Sequence, residues 1–242
     1  MSVEHCAYVG CAGWGLNQSN RDAFPSQGSQ LERYSACLPA VEINSSFYRP
    51  HRPQTYARWA GSVPAGFRFS VKVPKTITHT HRLVACEHLL DAFLEECLNL
   101  GERLGCLLIQ LPPSLSYEPT VVATFLDTLR LRYAGGVVIE PRHRSWAEAL
   151  PMLADFHIAQ VAADPPRIET DLTPNGWPGL RYWRLHGSPK IYYSDYGLDY
   201  LRRLAIQVNE SVSAGVPTWC IFDNTAAGAA VGNALALQSL LS

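Results

Sequence analysis

Gly136-Val-Val-Ile-Glu140 is a short β-branched run that ends on a carboxylate and passes at once into Pro141-Arg-His-Arg144. An apolar run of this length with no polar alternation reads as a strand covered on both faces, the habit of parallel sheets. Seven further runs share the design, at 8–13, 40–44, 67–73, 105–111, 158–164, 180–186 and 217–223. Helical periodicity lies between several of them, at 87–104, 120–131, 146–156, 198–212 and 229–241. Eight strands alternating with helices predict a single (β/α)8 barrel spanning 1–242, ahead of an open doubly wound sheet. The stretch 165–179 is rich in Pro, Asp, Thr, Asn and Gly, so a loop is expected where the sixth helix would stand. A long loop on the catalytic face is a candidate substrate wall.

Side chains alternate along a strand between the barrel interior and the helices. With Val71, Ile109, Ile139 and Leu185 facing the helices, the other parity places Asn44, Lys72, Gln110, Glu140, Asp164, His186 and Asp223 at the last inward position of seven strands. One layer deeper it places Glu42, Ser70 and Arg184 among Leu108, Val138, Ala162 and Ile221. Strand C-termini are where barrel enzymes assemble their sites. Glu140, Asp223 and His186 are therefore candidate acid–base groups, and Lys72 is a candidate base or imine-forming amine. Glu42 and Arg184 lie deeper, where a structural ion-pair layer is the expected use, since a buried charge without a partner costs several kcal/mol.

Loops leaving the same ends add binding candidates. Arg142 and His143 follow the fifth strand, and an Arg there suits a carboxylate or phosphate. Phe47, Tyr48, Tyr192, Tyr193 and Tyr196 are candidate stacking surfaces, with packing against the rim as the plain alternative. Asn224 begins the turn into the last helix, whose free N–H groups favour an anion.

The chain has 242 residues, 47% hydrophobic and 17% charged, with a formal net charge of -1. That balance gives a large core and no global field toward nucleic acid or membrane. No apolar stretch approaches the ~20 residues of a membrane span, and the first residues lack a signal-peptide pattern. Seven cysteines without a Cys-x-x-Cys pair fit a reducing, cytoplasmic setting and argue against a cysteine metal site. No cofactor is expected. A divalent cation among Glu42, Glu140, Asp164, His186 and Asp223 is the lesser alternative, because Lys72, Arg142 and Arg184 would crowd it with like charge.

Seven ordered segments carry a resemblance. They are Gly10-Cys-Ala-Gly-Trp14, Val41 to Tyr48, Phe69-Ser-Val-Lys-Val-Pro74 with Ile77-Thr-His79, Gln110-Leu-Pro-Pro113, Glu140 with Arg142-His143 and Ser145-Trp146, Arg184-Leu-His-Gly187, and Phe222-Asp-Asn224. Over almost its whole length the chain resembles the YecE-like family, domain of unknown function 72. The resemblance implies a (β/α)8 barrel and no named activity. Its motif residues fall on Trp14, Glu42, Asn44, Lys72, His79, Gln110, Glu140, Arg142, His143, His186 and Asn224. This chain departs from the pattern at Pro141 and in the segment after Trp14, which lacks aromatic residues.

The leading expectation is an enzyme of hydrolase or lyase type acting on a small anionic, polyhydroxylated substrate. Lys72, Arg142 and Arg184 would meet its charge, and Trp14, Glu42, Asn44, Tyr48, Gln110, His143, Asp164 and Asn224 would complete the binding set. The alternatives are a metal-dependent nucleic-acid-processing protein and a non-catalytic ligand-binding module. The residues leave substrate and oligomeric state open.

Overall fold

The structure is a computed structural model and describes residues 7–241. Its strands are β1 (Ala7–Ala12), β2 (Ala40–Ile43), β3 (Arg68–Lys72), β4 (Leu104–Gln110), β5 (Gly136–Glu140), β6 (Ala159–Gln160), β7 (Ala162–Asp164), β8 (Asn175–Gly176), β9 (Arg181–Leu185) and β10 (Thr218–Phe222). From β1 to β5 each strand pairs in parallel with the next, and β10 returns to pair with β1. The sixth barrel position is filled by two pieces: β6 pairs with β5, and β7 pairs with β9. Their break at Val161 makes the barrel nearly, rather than uniformly, closed. Two-residue β8 hooks antiparallel onto β6.

The helices are α1 (Gln30–Ser35), α2 (Pro53–Gly61), α3 (Glu87–Cys97), α4 (Pro119–Arg130), α5 (Leu150–Asp155), α6 (Leu198–Ser213) and α7 (Ala229–Leu241). Helices α2 and α4 begin on Pro, whose fixed φ and missing N–H suit a first turn. A reciprocal capping box opens α1: Ser29 Oγ accepts from the Glu32 amide and Glu32 Oε2 from the Ser29 amide. The predicted helix 87–104 is shorter than its pattern: α3 ends at Cys97, and a 3-10 segment (Leu98–Arg103) with Gly101 at φ 54° takes the place of its last turns. Between β7 and β9 a 3-10 turn (Glu169–Leu172) and β8 stand where a sixth helix would lie, as the composition of 165–179 indicates.

Two apolar shells follow from the alternation. Val71, Ile109, Ile139, Leu185 and Phe222 pack outward against the helices. Ala40, Cys106, Leu108, Val138, Ala159, Val161, Tyr182, Trp219 and Ile221 fill the interior. The floor is aromatic: Trp219 stacks on Tyr182 with ring centroids 5.9 Å apart and packs on Tyr8 at 4.8 Å. Gly105 admits this indole, since a Cβ there would sit 2.4 Å from the Trp219 ring.

One parity expectation is corrected. In the sixth position Ala159 and Val161 point inward, so Ala162 faces the helices and Asp164 points away from the mouth. Counting back from Asp164 as a strand end placed it one residue out of phase, and a one-residue shift exchanges the faces.

Candidate functional site

Above the aromatic floor, the inward positions of β2, β3, β4, β5, β9 and β10 turn polar within one strand pitch of each other. Glu42, Ser70, Lys72, Gln110, Glu140, Arg184, His186 and Asp223 are all buried there. The register explains the convergence, because Gln110 lies opposite Glu140 and Glu42 opposite Ser70 across adjacent strands.

Arg184 is the hub. Its Nε and Nη2 donate to the two oxygens of Glu42 at 2.9 and 2.8 Å, and its Nη1 donates to Glu140 Oε2 at 3.1 Å. Nη2 also lies 3.1 Å from Asp223 Oδ2. The Tyr182 hydroxyl sits 3.0 Å from both Glu42 Oε2 and Ser70 Oγ, tying the deep pair to the floor. This planar, several-toothed pairing needs a guanidinium and not an ammonium.

Glu140 is held from every side. Gln110 Nε2 reaches both oxygens at 3.1 Å, Arg142 donates from Nε and Nη2 at 3.0 and 2.9 Å, and His186 Nε2 lies at 3.1 Å. Although burial opposes its charge, His186, Arg184 and Arg142 hold its carboxyl well below the usual range. The other nitrogen of His186 meets Asp223 Oδ2 at 2.9 Å. An imidazole between two carboxylates is a donor at both nitrogens. Although burial works against it, Glu140 and Asp223 raise the His186 pKa above its ordinary value. Asp223 is lowered in turn, its burial outweighed by Arg184 and His186.

Lys72 stands apart. Its Nζ lies 4.2 Å from the centroid of the Phe47 ring and makes no hydrogen bond or ion pair among the described residues. Burial, and then Arg184, depress its pKa to about 8, against the opposing pull of Glu42, Glu140 and Asp223. Three carboxylates (Glu42, Glu140, Asp223) thus face four basic groups (Arg142, Arg184, His186, Lys72), so the cluster with both Lys72 and His186 protonated carries one positive charge in excess.

The remaining candidates divide. Asn44 caps the turn after β2 without a side-chain cap bond, and its Oδ1 is buried and unpaired. Among the described residues Arg142 Nη1 and Asp223 Oδ1 make no hydrogen bond. Tyr48 is 76% exposed and packs edge-on against Phe47. His143 accepts from the Ser145 amide and caps the following turn. Trp14 packs edge-on against Trp59. Asn224 is fully buried, donating to Ser194 O and Asn233 Oδ1, and so pins the β10–α7 connection. Asp164 accepts from the Tyr196 hydroxyl at 2.9 Å, outside the mouth.

Three residues outside the strand-end set complete the rim. Tyr192, at φ 70°, stands edge-on over His186. His79 lies edge-on to Phe47 with centroids 5.0 Å apart, and its Nδ1 is 2.8 Å from Thr78 Oγ1. Lys75 is close enough to act on it, since burial first, and then Lys72, Lys75 and Arg142, lower the His79 pKa. Lys75 carries no motif of its own, which is why sequence reasoning passes over it. Among the described residues no group of three His, Cys, Asp or Glu side chains is placed to share a metal ion, and no helix is long and apolar enough to cross a membrane.

Comparisons with known proteins agree with the geometry. A family model described as a protein of unknown function, DUF72, matches residues 8–242. The UPF0759 protein YecE of Escherichia coli K12 is 32% identical over 137 residues, covering 56% of this chain and 48% of that protein. YunF of Bacillus subtilis is 28% identical over 146 residues, covering 57% and 51%. The chain therefore matches about half the length of these curated relatives. A crystal structure of a DUF72 family protein from Thermotoga maritima superposes with a TM-score of 0.78 at 25% identity, covering 97% of this chain and 98% of that one. Another, from Enterococcus faecalis, gives 0.80 at 24%, covering 98% and 95%, and speaks to the fold.

Proposed function

The chain belongs to the DUF72 family of proteins of unknown function, and from that premise we propose that its barrel mouth is the active site of an enzyme. The substrate is a small anionic, polyhydroxylated molecule, and the chemistry is acid–base with a hydrolytic or lyase outcome. The observation that carries this reading is the lone buried amine of Lys72, in a mouth where Arg184, Glu42, Glu140 and His186 are bound to one another.

A base must be able to give and take a proton near the working pH. Glu140, under six donor contacts, is fixed as an anion and serves as the anchor that orients His186, Arg142 and Gln110. Lys72 is in the useful range and has no bond to break first. The excess positive charge favours an anionic substrate, and Arg142 Nη1 is free to meet it. Asp223 Oδ1 and Asn44 Oδ1 are acceptors without donors, which suits a substrate rich in hydroxyls.

The test is a thermal-shift screen of sugar phosphates and sugar acids against their neutral parent sugars, followed by product detection for compounds that bind. Selective stabilisation by anionic compounds, with turnover lost in Lys72→Met, supports the reading. At about 100 times the Kd a ligand adds ~2.7 kcal/mol, well within detection. Stabilisation by neutral sugars alone would overturn it, and retained binding of anions with no product from any would favour a ligand-binding module.

A further inference from the structure

We infer that Lys72 forms an imine with an aldehyde or ketone that bears a phosphate or carboxylate, the anion resting against Lys75, His79 and Arg142. This rests on the active-site reading above and names its substrate class.

The chain holds three lysines, at 72, 75 and 190, against 17 arginines. Almost every cation that only has to carry charge is therefore a guanidinium, which does not lose its proton in proteins. All three lysines lie on the face where the strands end: Lys72 at the end of β3, Lys75 just beyond it, and Lys190 in the connection after β9. Lys190 is exposed and covers the Tyr193 ring at 4.1 Å, while Lys72 is the buried one.

The surroundings of Lys72 suit a nucleophile. Its amine lies over the face of Phe47, and His79 meets the same ring in a T-shaped contact, so amine and imidazole share one aromatic neighbour. The charged groups around Lys72 are Arg184, Glu42, Glu140 and Asp223, and Arg184 is itself tied to all three carboxylates. With a pKa of about 8, about a quarter of the molecules hold a neutral amine at pH 7.5, against about one in a thousand for an ordinary lysine. The anion seat is equally local. His79 packs on the Phe47 ring that Lys72 covers, Lys75 caps the turn that carries His79, and among the described residues neither His79 Nε2 nor Arg142 Nη1 has a hydrogen-bond partner.

The chemistry needs no further reagent. The neutral Nζ adds its electron pair to the carbonyl carbon, and the C=O π pair moves onto oxygen. Both amine protons pass to that oxygen, which leaves as water while the C=N bond forms. A proton from solvent then makes the iminium, whose positive charge faces the substrate's own anion and the mouth carboxylates.

The experiment uses glyceraldehyde 3-phosphate, with glyceraldehyde as the neutral control, in the presence of sodium cyanoborohydride. Intact mass and peptide mapping locate the reduced adduct. The expected result is one adduct on Lys72, formed at least tenfold faster with the phosphate, lost in Lys72→Arg and Lys72→Met, and unchanged in Lys190→Arg. Arg142→Gln lowers the preference for the phosphate over the neutral aldehyde, whatever it does to either rate alone, a pattern that misfolding would not give; circular dichroism checks the Lys72 variants. Adducts spread evenly over Lys75, Lys190 and the N-terminus, or no adduct, would overturn the imine. If anions still stabilise the protein when no adduct forms, the imine alone fails; if neither occurs, the active-site reading fails with it.

Discussion

A lysine and an arginine two strand positions apart in depth have opposite relations to their surroundings. Arg184 is enclosed by Glu42, Glu140 and Asp223, so replacing it leaves three buried carboxylates with their main counter-charge removed. Arg184→Met should cost about 3–5 kcal/mol, read as a lower denaturation midpoint at unchanged slope. Lys72 has no such partner, and its depressed pKa means that folding works against its charge. Lys72→Met should therefore raise stability at pH 7, by up to about 3 kcal/mol, while abolishing turnover. In a domain of this size that is roughly 2–4 °C of Tm per kcal/mol. A drop in Tm would mean that Lys72 is held by an interaction the geometry does not contain.

At the level of the element, strand ends are what the sequence made legible. β-branched runs such as 136–140 mark strands covered on both faces, and the change from apolar to polar at Lys72, Glu140, His186 and Asp223 marks the mouth. Asp164 falls one residue out of phase because its strand is two short pieces around Val161, a break that no Gly or Pro in the run Ala159 to Ala163 marks. Which partner each charge would take was not legible either, since Arg184 bonds across 142 residues to Glu42 and 44 to Glu140. Trp14, His143 and Asn224 stand in the right segments, yet their side chains are engaged in packing, capping and pinning a turn. The floor offers a sharper prediction. Gly105→Ala drives a Cβ into the Trp219 indole and should cost about 1–3 kcal/mol, with a change in tryptophan fluorescence. Unchanged stability and spectrum would mean that the ring can move aside.

For the whole molecule the consequence is a stability profile shaped by the mouth. Glu140 and Asp223 have folded pKa values below their unfolded ones, so their contribution is present above the ordinary carboxylate range and is lost as pH falls through the depressed values. His186 is raised, so its contribution is complete below its ordinary pKa of 6.5 and is lost as pH rises through the folded value. Lys72 acts in the other sense: between about pH 8 and its ordinary 10.5 the unfolded chain holds a proton that the folded one has released, so stability gains with pH there. Thermal unfolding across pH should show an acid loss that Glu140→Gln reduces in steepness, and an alkaline loss, set by buried thiols and phenols, that Lys72→Met steepens by removing the offsetting gain. An alkaline limb identical in Lys72→Met would assign that gain to other groups.

With only three lysines in the chain, the central claim can be read on a single residue. The measurement is the titration of lysine side chains by NMR of protein carrying isotope-labelled lysine, with Lys72→Arg to assign its signal. A signal that disappears in Lys72→Arg and titrates with a midpoint of about 8 is the predicted result, and it establishes an amine whose charge the buried barrel mouth disfavours. A midpoint in the ordinary lysine range, about 10.4, would show a solvated or paired ammonium and would contradict the account.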